Sequence, residues 1–146
     1  MARFSEEARI DPREMPSPLD AVLETCVYYS HPEQQAMVAF YRDTLALTAT
    51  GGDGFAYRVG GTLVLLFDRD EARAKRSPRP PAHGTEGSSH LCFLAGAGYT
   101  QWRAFLKRQG VVITRDISWP GGQRSFYFED PAGNVLEIAD GDMWPT

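Results

Sequence analysis

Two tripeptides and one misplaced carboxylate carry the candidate chemistry of this chain. Glu24-Thr25-Cys26 and His90-Leu91-Cys92 each set a metal-competent side chain two places before a cysteine. In a strand that spacing puts both side chains on one face. Glu137 falls inside the apolar run Val135-Leu136-Glu137-Ile138, where a carboxylate is costly unless it is paired or holds a cation. One imidazole and two carboxylates suit a divalent metal with positions left for water or substrate, and Zn, Ni, Mn, Co and Fe(II) all accept such donors. The set matches the facial sites of non-haem iron with one His exchanged for Glu. Glu24 or Glu137, when displaced from the metal, could act as a base. Plainer roles stay open as well. Glu24 suits a solvent-facing place, and His90 follows Gly87-Ser88-Ser89 at a strand start, where a polar residue costs little.

These residues need strands to hold them, and the sequence supplies the same plan twice. Val22 to Tyr29 and His90 to Leu94 read as opening strands. Amphipathic helices follow, from about Pro32 to Leu45 with Met37, Phe40, Tyr41 and Leu45 on one side, and from about Gly98 to Gln109 with Trp102, Phe105 and Leu106 on one side. Pro32 and Glu33 suit a first helical turn, and Gly110 suits a stop. Phe55 to Val59 and Leu63 to Phe67 form a hairpin about Gly60-Gly61. Its counterpart is Ser125 to Glu129, the turn Asp130-Pro131-Ala132-Gly133-Asn134, and Val135 to Ile138. Each half therefore reads β-α-β-β-β, and Leu65 stands where Glu137 stands in the second half. The expected class is α+β, with two tandem modules whose curved mixed sheets surround a cavity. The expected boundaries are an arm over 1–18, module one over 19–68, a Pro- and Gly-containing crossover over 69–88, module two over 89–140 and a tail over 141–146.

Around the candidate metal site, Phe67, Trp119 and Tyr127 are candidate walls of an aromatic substrate pocket. Arg124, after Gly121-Gly122, could hold a substrate carboxylate or phosphate, or simply be solvated. Cys26 and Cys92 read as packed thiols. His31 and His83 read as loop residues on the surface.

The composition narrows the function classes. The chain has 146 residues, 42% of them hydrophobic and 23% charged, which is enough for one domain with a real core. A net charge of −4 and the lack of a basic stripe argue against a nucleic-acid partner. No apolar run reaches the length of a membrane span. Met1 to Pro18 has no apolar core and is not read as a signal peptide, and two cysteines make no disulfide framework, so the expected setting is cytoplasmic.

Phe40-Tyr41-Arg42-Asp43-Thr44-Leu45, Ser89-His90-Leu91-Cys92-Phe93 and Phe128 to Glu137, with the doubled plan, resemble the vicinal oxygen chelate superfamily, also called the glyoxalase/bleomycin resistance/dioxygenase superfamily. The resemblance covers about Leu19 to Ala139. It implies metal ligands at His90 and Glu137, with Glu24 where the family usually has His or Gln. It implies a divalent metal acting as Lewis acid on two neighbouring oxygens of a small substrate, with lyase or isomerase chemistry, and a homodimer whose partner chain can supply part of the site. Leu65 stands where glyoxalase I has a further Glu, so a four-ligand site of that kind is not supported. Glu24 counts against an extradiol dioxygenase. A second reading is a metal-free protein that sequesters an aromatic or cationic antibiotic in an acidic, aromatic cleft. A third is a dimer that kept the fold and lost the chemistry.

Overall fold

The computed structural model describes residues 19, 21–74 and 80–144. The expected arm at 1–18, part of the crossover at 75–79 and the tail end at 145–146 lie outside the described residues.

Among the described residues, eight strands form two sheets. The first half gives β1 (Glu24–Tyr29), α1 (Gln34–Ala39), β2 (Thr48–Ala49), β3 (Ala56–Val59) and β4 (Thr62–Asp68). After a short helix α2 (Arg69–Ala74), the second half gives β5 (His90–Leu94), α3 (Tyr99–Arg108), β6 (Arg115–Ser118), β7 (Arg124–Glu129) and β8 (Val135–Ala139). The strand orders are β1-β4-β3-β2 and β5-β8-β7-β6. In each sheet the opening strand runs parallel to the closing strand and the remaining pairs are antiparallel. The register repeats as well, with Cys26 beside Leu65 and Cys92 beside Glu137. Two β-α-β-β-β modules are therefore present. The two sheets remain separate and open, and do not close into a barrel.

Side-chain alternation divides each sheet into a helix face and an open face. Val27, Tyr29, Tyr57, Val64 and Leu66 of the first sheet pack with Met37, Phe40, Tyr41 and Leu45. Phe126, Phe128, Leu136 and Ile138 of the second pack with Tyr99 and Leu106 in the same cluster, so the modules share one core. Phe40 meets Phe128 across them, with ring centroids 6.4 Å apart. Each such side chain contributes about 1.5–3 kcal/mol by leaving water.

Local chemistry sets the helix boundaries. The Ser30 amide donates to the Glu33 carboxylate at 2.7 Å and starts the first helical segment. That segment ends in a wider turn, Phe40–Thr44, followed by Ala46 at a φ of 53°. The crossover differs from the expected loop over part of its length, because residues 69–74 form α2. Asp68 Oδ1 caps it, accepting from the amides of Asp70 (2.9 Å) and Glu71 (3.2 Å).

The Asp-Pro-Ala-Gly-Asn turn ties the halves together. Asp130 Oδ1 accepts from the Ala132 and Asn134 amides, while Oδ2 accepts from the Tyr41 hydroxyl at 2.9 Å and Asn134 Nδ2 at 2.8 Å. Asn134 Nδ2 also donates to the Tyr28 carbonyl, and its Oδ1 accepts from the Ser89 amide just before His90. Gly133, at a φ of 82°, supplies the left-handed residue that the turn requires. Burial holds the Asp130 carboxyl above its ordinary pKa despite these donors.

Candidate functional site

Strand pairing lays four open-face side chains in one row across the second sheet. Cys92 on β5 opposes Glu137 on β8, Glu137 opposes Tyr127 on β7, and Tyr127 opposes Arg115 on β6. His90 stands one open-face position before Cys92, beside Val135.

Glu137 is buried, and its Oε2 lies 3.3 Å from His90 Nε2. Its Oε1 is buried with no hydrogen-bond partner. An orphaned carboxylate oxygen costs on the order of 1–3 kcal/mol or more, and the groups that could relieve it are the neighbouring Cys92 thiol and Tyr127 hydroxyl or a bound cation. His90 Nδ1 lies 2.9 Å from the Val135 carbonyl. A carbonyl only accepts, so Nδ1 carries the proton and a neutral ring turns the Nε2 lone pair toward Glu137. Two lone pairs that close repel unless a proton or a cation lies between them. A second ring proton would serve Oε2 and leave Oε1 unsatisfied. A divalent cation would take Nε2 and the carboxylate together, so this donor pair fits one.

The neighbours feel the same charge. Partial desolvation, then the adjacent Glu137 carboxylate, pushes the thiol of the exposed Cys92 up to about 12. Burial, with Glu137 beside it, also raises Tyr127. The Tyr127 ring stacks on His90 with centroids 6.1 Å apart. Beyond Tyr127 lies a cavity of about 470 Å³ lined by Thr114, Arg115, Ile117, Trp119, Tyr127 and Val135.

Of the residues expected at the site, His90, Glu137, Tyr127 and Trp119 share the second sheet's open face. Trp119 is held there by its Nε1 donating to Ser125 Oγ at 3.0 Å. Glu24 is exposed at the start of β1, beside Leu63, in the register position that matches His90. It lies on the other sheet and forms no close trio with His90 and Glu137. Among the described residues the trio whose ligand atoms all lie within 4.8 Å of one another is His31, Asp68 and Glu71. Phe67 also belongs to the first sheet, against Tyr28 (6.1 Å) and His83 (4.8 Å). Arg124, expected to hold a substrate anion, instead lies on the helix face. Its Nε donates to Asp140 at 2.8 Å and its guanidinium sits 4.7 Å over the Tyr99 ring.

Two histidines have partners that the sequence did not reveal, and one arginine joins the site unannounced. His31 Nδ1 lies 3.1 Å from Asp68 Oδ2, although its side chain is 73% exposed. Burial works against the Asp68 charge, but the Glu71 amide, the His31 ring and the Asp70 amide outweigh it and hold that carboxyl below the ordinary range. This arrangement is a helix cap with an added ion pair. His83 is half-buried rather than free on the surface, with Nδ1 2.6 Å from the Tyr28 hydroxyl. Arg115 joins the site row from an exposed strand with a single apolar residue, so hydrophobic periodicity gave no sign of it. No described helix is long and apolar enough to cross a membrane.

Paired four-stranded modules of this kind define a structural class, and solved structures place the chain within it. A lactoylglutathione lyase from Agrobacterium tumefaciens is similar over 88% of this chain and 99% of that one, at 32% identity and a TM-score of 0.78. The chain belongs to the glyoxalase/bleomycin resistance/dioxygenase family, the vicinal oxygen chelate superfamily. A glyoxalase/bleomycin resistance protein/dioxygenase from Nocardioides matches at 18% identity over 90% of this chain and 91% of that one, with a TM-score of 0.66. An integron cassette protein from V. cholerae matches at 21% identity over 86% and 98%, with a TM-score of 0.65. These last two show the fold alone. No protein-family model matches the chain, and a search of curated proteins finds no match.

Proposed function

We propose that this protein is a divalent-metal-dependent enzyme of lyase or isomerase type acting on a small substrate that presents two neighbouring oxygens. The observation that carries the reading is the buried, partnerless Glu137 Oε1 beside His90 Nε2. The 32% identity to a lactoylglutathione lyase supports the reaction type. Leu65, in the place matching Glu137, leaves the first sheet without the further carboxylate of that enzyme class and points to a different substrate or ligand set.

His90 and Glu137 would hold the metal, and Glu24 would complete the set from the first sheet of the same chain or of a second copy. When bound, the metal supplies Lewis acidity to the substrate oxygens. The chain's own residues do the rest. The Val135 carbonyl fixes the His90 tautomer. Tyr127 walls the site beside Glu137, and a carboxylate freed from coordination is placed to take a proton from carbon.

The test is metal analysis by mass spectrometry of the purified wild type and of Glu137→Ala. Near-stoichiometric transition metal in the wild type, with at least about a tenfold loss of occupancy in the variant, is expected. Wild-type protein that holds no metal and takes up none when supplied would sink the reading. Sequestration of a small molecule in the cavity beside Trp119 and Tyr127 would then lead.

A further inference from the structure

We propose that Arg115 is the anion-recognition residue of this site. The substrate would then be a small molecule with two neighbouring oxygens at one end and a carboxylate or phosphate at the other. The inference rests on the proposed function, because it takes the His90–Glu137 end as the point where the oxygens bind.

Five of the described arginines are committed to partners. Arg42 is paired with Asp43, Arg73 with Glu86, Arg103 with Asp116 and Arg124 with Asp140, while Arg69 donates to the Thr85 carbonyl. Arg58, Arg108 and Arg115 have no such partner among the described residues, and of these three Arg115 is the one that lines the cavity of about 470 Å³. A guanidinium carries five donors in a fixed fork that fits two oxygens of a carboxylate or phosphate. An uncommitted fork in a concave, aromatic-walled space is chemically incomplete in a way that an anion completes.

Its position also measures the ligand. Arg115 opposes Tyr127, which opposes Glu137, so the cation and the orphaned carboxylate oxygen sit two strand spacings apart on one face. Strands lie about 4.8 Å apart, so the two backbones are roughly 10 Å apart. Arginine's reach shortens the gap to about one ring's width. The floor between the two ends is the Tyr127 ring, with Trp119 at the side, which suits a flat or apolar middle. The opposite charges of Arg115 and Glu137 at the two ends also fix the direction in which such a ligand lies.

Calorimetric titration tests this. Co(II)-supplemented protein is titrated with 3,4-dihydroxybenzoate and with catechol, and chelator-treated protein with benzoate and with phenyl phosphate. Dihydroxybenzoate should bind about tenfold tighter than catechol, the worth of one charge-assisted pair. Arg115→Gln should erase that ratio and leave catechol unchanged, while Arg115→Lys keeps part of it. Glu137→Ala should weaken both catechols and preserve the ratio. Arg115 is exposed, so a circular dichroism control on each variant is expected to match the wild type. Equal affinity for the two catechols, survival of the preference in Arg115→Gln, or no binding of any probe at millimolar concentration overturns the proposal. If the protein takes up no metal, yet binds benzoate or phenyl phosphate through Arg115, the anion site stands and the metal reading fails. The stronger binder of those two identifies the anion.

Discussion

Aligned by register, Cys26–Leu65–Ala56 of the first sheet matches Cys92–Glu137–Tyr127 of the second. The backbones pair alike, but only the second row bears a carboxylate and a phenol, with Arg115 at its end. The next open-face pair differs in cover. Tyr28 is 7% exposed beneath His83, while the matching Leu94 is 71% exposed. A repeated backbone thus carries two unlike surfaces, one covered by its own crossover and one left accessible. What separates them is side-chain chemistry at a few positions, because strand pairing uses main-chain groups that every residue supplies.

The largest expected effect tests how strongly the unlike halves are joined. The Gly60-Gly61 turn of the first module is exposed, whereas the Asp130 turn of the second reaches into its neighbour. In Asp130→Asn the new NH₂ group would face two donors, Tyr41 Oη and Asn134 Nδ2. Urea unfolding should show a loss of about 2–4 kcal/mol. A loss under about 1 kcal/mol would mean that the shared apolar core alone joins the modules.

A smaller effect separates the two cysteines. The Cys92 thiol is raised to about 12 by partial desolvation and by Glu137, whose charge disfavours a thiolate beside it. Cys26 has an apolar Leu65 in that place. Glu137→Gln removes the neighbouring charge, so the Cys92 pKa falls and more thiolate is present at any pH below it. Iodoacetamide labelling at mildly alkaline pH should speed up several-fold at Cys92, up to about tenfold per pKa unit. The rate at Cys26 should not change. Equal acceleration at both sites would show a global loosening instead.

The smallest effect compares the two helix ends. The first segment ends at Ala46 with a φ of 53°, the second at Gly110 with a φ of 82°. Ala46→Gly relieves a left-handed alanine and should stabilise by up to about 1 kcal/mol, and Gly110→Ala should cost a similar amount. Melting temperatures that move the same way for both substitutions would contradict this.

The sequence exposed the doubled plan because each module combines a 3.6-residue apolar stripe with period-2 strands. Glu137 stood out because a charge in an apolar strand breaks the pattern around it, and His90 because its place two residues before a cysteine repeats that of Glu24. It concealed β6, whose Arg115-Asp116-Ile117-Ser118 has one apolar residue, and β2, which has only two residues. Arg124 was open to a better reading. It lies three positions from Tyr127, and an odd separation along one strand places the two on opposite faces. His31 and His83 depended on Asp68 and Tyr28, contacts that come from chain reversal and have no local signature.

The shared core has a consequence for inheritance. Cys92, Tyr127, Arg115 and Val135 stand apart from the buried apolar cluster that fixes the fold. Most substitutions at these four positions therefore change the chemistry of the open face at little risk to folding, because the helix face bears the burden of stability. A lineage with this architecture can remake the chemistry of its open face through a few side chains while the helix face keeps the fold.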